Sequence, residues 1–103
     1  MTFRVEIADR AREQVRAVAK CWAKNRSGAP GLFVTEFAEG LERLTASPMS
    51  GSPYAAPRPI GLLRILMRRT RYHVYYTVDE SAGTVLIRAV WHASRGKRPP
   101  LRS

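Results

Sequence analysis

One cysteine, Cys21, stands in 103 residues, which excludes an internal disulfide and any thiolate metal cluster. Acidic residues are scarce as well: eight Asp and Glu face eighteen Lys and Arg, a formal net charge of +10, and fifteen of the eighteen cations are arginines. Histidine occurs only as His73 and His92, and two histidines in separate segments with a lone cysteine form no recognised ligand set. Neither a metal nor another cofactor is therefore implied. No apolar run approaches the ~20 residues that cross a bilayer, and the amino terminus lacks a charged-then-apolar leader, so a cytoplasmic protein with no membrane partner is expected. The length suits one domain spanning 1–103.

Hydrophobic residues at 45% and charged residues at 25% describe a chain able to fold around a core. The excess positive charge calls for an acidic partner. Nucleic acid, an anionic membrane surface and an acidic protein segment all satisfy it, and the sign alone does not choose among them.

Residues Phe3 to Ile7 alternate apolar and charged, the period of a strand with one buried face, within 1–8. From Asp9, the expected N-cap, the period lengthens: Ala11, Val15, Val18, Ala19 and Trp22 fall three or four apart, predicting a helix over 9–26 with Cys21 as a small buried hydrophobe. Asn25, Ser27, Gly28 and Pro30 interrupt it, and Pro30 suits the opening turn of a second helix over 30–46 with Leu32, Phe33, Phe37, Leu41 and Leu44 on one stripe. So short a break predicts an antiparallel helical hairpin. Pro48, Pro53, Pro57 and Pro59 argue against any regular element over 47–61.

Three β-rich segments, Leu63 to Arg68, Tyr72 to Val78 and Thr84 to His92, then form an antiparallel meander within 63–92, with Gly83 supplying a positive φ in the last turn. Residues 93–103 read as an irregular basic tail. The fold class expected is α+β: one mainly antiparallel twisted sheet, including the N-terminal strand, with both helices on one face.

The run Arg69 to Asp79, containing Tyr72, His73, Tyr75 and Tyr76, and the run Ile87 to Gly96, containing Trp91 and His92, resemble the RelE/ParE toxins of type II toxin–antitoxin systems, also called plasmid stabilisation proteins. The segment Leu44 to Pro48, with Gly51 and Pro53 following, resembles the end of that family's second helix. The element order agrees along essentially the whole chain. The resemblance implies a growth-arresting toxin masked by a cognate antitoxin, expected here to be acidic. It implies one of two targets, DNA gyrase or ribosome-bound mRNA.

Strand alternation sorts the candidate residues by face. Leu63, Ile65 and Met67 should face the helices, as should Val85, Ile87, Ala89 and Trp91, which sends Arg64, Arg68, Arg88 and His92 outward, with Trp22 also in the core. RNA cleavage by an attacking 2′-hydroxyl needs a proton acceptor, a proton donor and fixed cations on the phosphate, but no metal. Arg64, Arg88 and His92 are the candidate catalytic residues, because a guanidinium fork holds two phosphate oxygens and imidazole exchanges protons near neutrality. Arg68, Arg71, Tyr72, His73, Tyr75 and Arg95 are the candidate target-binding residues, the tyrosines as stacking platforms. The plainer reading of each is a solvated arginine, a strand-end histidine or a half-buried sheet tyrosine.

The nuclease pattern within the family is incomplete. Leu66 falls where a second strand cation is usual, His73 stands beside Tyr72 where an arginine is usual, and the chain ends Pro99-Pro100-Leu101-Arg102-Ser103 without a tyrosine. Three functions follow: a ribosome-dependent mRNA endonuclease, a gyrase-blocking toxin with no catalytic residue, and an inactive toxin relative that serves only as an antitoxin-binding module.

Overall fold

The computed structural model describes residues 2–26 and 28–94. Strand β1 (Arg4–Ile7) leads into helix α1 (Asp9–Asn25) and helix α2 (Leu32–Ala46). Strands β2 (Ser52–Pro53), β3 (Leu63–Met67), β4 (Tyr72–Asp79) and β5 (Thr84–His92) follow, and the sheet order is β1-β5-β4-β3-β2. The α+β class and the meander β3-β4-β5 are as expected. One strand differs in direction: β1 runs parallel to β5, Arg4 beside Thr84 through Ile7 beside Ile87. The α-helical pair between them is the crossover that such pairing requires.

Both helices follow their apolar periods with small corrections. Ala8, not Asp9, is the cap residue of α1; Asp9 lies in the first helical turn, where its charge favours the positive end of the helix dipole. Cys21 is exposed, accepting a hydrogen bond from Asn25 Nδ2 at 3.3 Å, because it sits beside rather than on the stripe of Val15, Val18, Ala19 and Trp22 that packs on the core. Helix α2 begins at Leu32, after Pro30 and the cap residue Gly31. Its buried side chains, Phe33, Phe37 and Leu44, meet Ile65, Met67, Val74 and Tyr76 of the sheet.

The proline-bearing segment carries more order than its composition suggests. A 3-10 turn at Pro48–Ser50 precedes β2, which pairs Ser52 with Arg64 and Pro53 with Leu63. The Tyr76 hydroxyl, fully buried, anchors this segment by donating to the Pro48 carbonyl at 2.8 Å and accepting from the Gly51 amide at 2.9 Å. A Cβ on Gly51 would lie 2.5 Å from that hydroxyl and 2.9 Å from the Arg64 carbonyl, so only glycine fits there. Tyr76→Phe should lower unfolding free energy by about 1–3 kcal/mol in a urea titration, because it leaves a part-buried amide and carbonyl without their partner. An unchanged midpoint would show that the anchor is dispensable.

A β-bulge decides which residues of β5 face which way. Tyr75 pairs with Ala89 while Tyr76 pairs with Ile87, so Arg88 is the extra residue on β5. A one-residue insertion inverts the alternation beyond it. Val85, Ile87 and Val90 therefore lie in the core under the helices, whereas Ala89 and Trp91 turn to the opposite face and join Leu62, Tyr75, Tyr54 and Ala56 in a second apolar cluster. The expected core placement of Ala89 and Trp91 is corrected accordingly. Gln14 of α1 supports the bulge, its side-chain oxygen accepting from the Val90 amide at 2.9 Å.

Candidate functional site

The turn joining β3 to β4 carries Arg68, Arg69 and Arg71, and a buried carboxylate fixes it. Glu36 of α2 is 8% exposed and accepts from the Arg69 amide at 2.8 Å, the Thr70 amide at 2.9 Å and the Thr70 hydroxyl at 2.7 Å. Burial pushes the Glu36 carboxyl upward, but these donors and the Arg69 guanidinium 3.6 Å away outweigh it and leave the group below its ordinary 4.5. Arg69 also donates to Glu39 at 2.7 Å, so its charge is spent on α2. Arg71 adopts φ +67°, with its amide donating to Met67 and its carbonyl accepting from Ala93.

Around this turn lies a cleft of about 380 Å³ lined by Arg43, Ser50, Ser52, Arg64, Arg68 and Arg71. Among the described residues the ion pairs are Arg4 with Glu6 and Arg69 with Glu36 and Glu39, so none neutralises these four arginines. Arg64 lies with its guanidinium 4.9 Å from the ring centre of Tyr54. His73 is half-buried beside this region. Its imidazole sits below the usual 6.5, first through burial and then through the Arg64 and Arg71 charges, and is therefore neutral at pH 7.

The three candidate catalytic residues are not brought together. Arg64 is in the cleft; Arg88 donates from Nε to the Thr77 hydroxyl at 2.9 Å and lines a different hollow with Glu6 and Asp79. His92 was expected on the Arg88 face, but the bulge turns it to the helix side, its ring edge-on to Tyr72 at 4.9 Å and its Nδ1 accepting from the Ser94 amide at 3.1 Å. Among the candidate binding residues, Arg68, Arg71 and His73 lie at or beside the cleft. Tyr72 instead packs edge-on against Phe33 at 5.3 Å on the helix side, and Tyr75 is 3% exposed beneath Tyr54 and so presents no free ring face for stacking. Arg95 and the tail lie outside the described residues.

Arg43, Glu36 and Gln14 were not singled out by sequence pattern. The only signal for Glu36 was a carboxylate interrupting the stripe Phe33, Phe37, Gly40, Leu44, with no way to know which of the nearby cations it would meet.

The sequence profile described as the ParE toxin of the type II toxin–antitoxin system, parDE, matches residues 5–96. The chain belongs to this ParE toxin family. Solved structures agree with the fold. The chromosomal ParDE system of P. aeruginosa matches with a TM-score of 0.74 at 14% identity, over 90% of this chain and 98% of that one. The RelBE2 toxin–antitoxin complex of Mycobacterium tuberculosis matches with a TM-score of 0.59 at 26% identity, over 89% and 99%. The intact E. coli RelBE complex matches with a TM-score of 0.63 at 19% identity, over 90% and 99%. No curated protein matches. Among the described residues, no helix of this ParE family member is long and apolar enough to cross a membrane.

Proposed function

We propose that this ParE family toxin arrests growth by binding DNA gyrase rather than by cutting RNA, and that a cognate acidic antitoxin neutralises it. The observation that carries the reading is the separation of Arg64, Arg88 and His92 onto different parts of the sheet, two of them already engaged by Thr77 and by Tyr72 and Ser94. General acid–base catalysis needs both proton-transfer groups within hydrogen-bond reach of one substrate, and these residues do not converge on one. A toxin that works by occupying a surface needs only complementary charge and shape. The relatives solved as toxin–antitoxin complexes support an antitoxin partner, and the +10 charge of this chain supports an acidic one.

In a purified supercoiling assay, the toxin should abolish gyrase-driven supercoiling at saturating protein, and premixing with the antitoxin should restore it. A normal rate at saturation would remove gyrase as the target. A second reading has one specific observation behind it: His73 lies beside Arg64 and Arg71, whose charges add to burial in holding its imidazole below the usual 6.5, an environment that would suit a proton acceptor for an RNA hydroxyl. That reading expects His73→Gln to abolish cleavage of ribosome-bound mRNA, and it is lost if no such cleavage occurs in the unsubstituted protein.

A further inference from the structure

The cleft between the end of α2, β2 and the β3–β4 turn concentrates positive charge that no acidic side chain among the described residues neutralises. Four arginines from three elements converge on it: Arg43 from α2, Arg64 from β3, and Arg68 and Arg71 from the turn. Like charges gathered in one hollow repel, and two acidic residues close by, Glu36 and Glu39, are turned to Arg69 instead. Arg71 adds a second, independent oddity. It occupies the left-handed region at φ +67°, where glycine is favoured and an arginine is strained. Strain retained at a position that glycine would relieve points to a task for the side chain.

We propose that this cleft binds the oligophosphate chain of a free nucleotide. Guanidinium forks take phosphate oxygens two at a time, and several forks around a small hollow suit a short chain of adjoining phosphoryl groups. Ser52 also lines the cleft, and its hydroxyl can donate to a phosphoryl oxygen. A nucleic-acid strand fits less well, because among the described residues the charge does not continue as a track. Beyond Arg64 the same sheet face turns apolar at Leu62, Tyr75, Ala89 and Trp91, and Arg88 at its far end shares a hollow with Glu6 and Asp79. Binding of free oligophosphate here does not depend on whether the toxin acts on gyrase or on RNA.

Titration calorimetry on the full chain at physiological salt tests this with sodium tripolyphosphate, ATP, sodium sulfate and a single-stranded RNA oligonucleotide. Tripolyphosphate and ATP should each bind at one site, sulfate should not compete at equal ionic strength, and Arg71→Gly and Arg43→Gln should each weaken both at least tenfold. Tighter binding of ATP than of tripolyphosphate would add a nucleoside contact to the site. Arg71→Gly should keep or raise the melting temperature, which separates lost binding from lost folding, and Arg43→Gln provides a second variant on a helix surface. The proposal is overturned by tripolyphosphate binding no tighter than sulfate, by affinity undiminished in both variants, or by RNA binding at these arginines while tripolyphosphate does not.

Discussion

Glu36→Ala is expected to lower the unfolding free energy by about 2–4 kcal/mol, the range for removing one partner of a buried, hydrogen-bonded charged group. For a chain of this length that corresponds to a fall in melting temperature of roughly 10–20 °C. The loss arises because the Arg69 amide, the Thr70 amide and the Thr70 hydroxyl all donate to this one carboxylate, and Thr70 is 2% exposed, so water does not readily replace it. Glu36→Gln keeps one acceptor oxygen and should lose less. A change within 0.5 kcal/mol for Glu36→Ala would mean that the β3–β4 turn holds itself.

The same carboxylate predicts a pH dependence with a definite sign. Its folded-state value is depressed below 4.5, so its contribution is complete above that pH and is lost as pH falls through the lower folded value. His73 is also depressed, below 6.5, which makes the folded state resist protonation that the unfolded chain accepts. Stability should therefore begin to fall below about pH 6.5 through His73 and fall further below about pH 4.5 through Glu36. Denaturant midpoints from pH 8 to pH 3 check this, and His73→Gln should remove the first phase only.

Reversing charge at the cleft should have the second large effect. Arg64→Glu combined with Arg68→Glu converts two of its four unneutralised cations into anions, and interfacial like-charge contacts cost several kcal/mol. Growth arrest on induction should fall by at least a hundredfold in plating efficiency while the melting temperature changes little, because Arg68 is exposed and Arg64 only half-buried. Undiminished arrest by a folded double variant would place target recognition elsewhere on the surface. By contrast, Arg88→Gln and His92→Gln should leave arrest intact.

The regular elements were legible because their periods were clean. Phe33, Phe37, Leu41 and Leu44 mark a helical stripe, and Leu63, Ile65 and Met67 mark a strand with one face on the core, both placed as expected. The site was less legible for a physical reason. Strand alternation assumes an unbroken ladder, and the extra residue at Arg88 inverts the faces of Ala89, Val90, Trp91 and His92. Nothing in a run as uniformly β-forming as Thr84–His92 announces a bulge; its support comes from Gln14, 76 positions away in sequence. The parallel pairing of β1 with β5 was hidden likewise, and so was the two-residue β2, whose entry is fixed by a tertiary contact, the Tyr76 hydroxyl on Pro48 and Gly51.

The central claim is that this toxin binds its target without cutting RNA, and a transcriptome-wide map of new RNA 5′ ends, minutes after inducing the protein alone, tests it most directly. Growth arrest with no new ends in phase with codons is the result expected. Arrest accompanied by codon-phased cuts that vanish in His73→Gln or His92→Gln would contradict it and make the protein a nuclease.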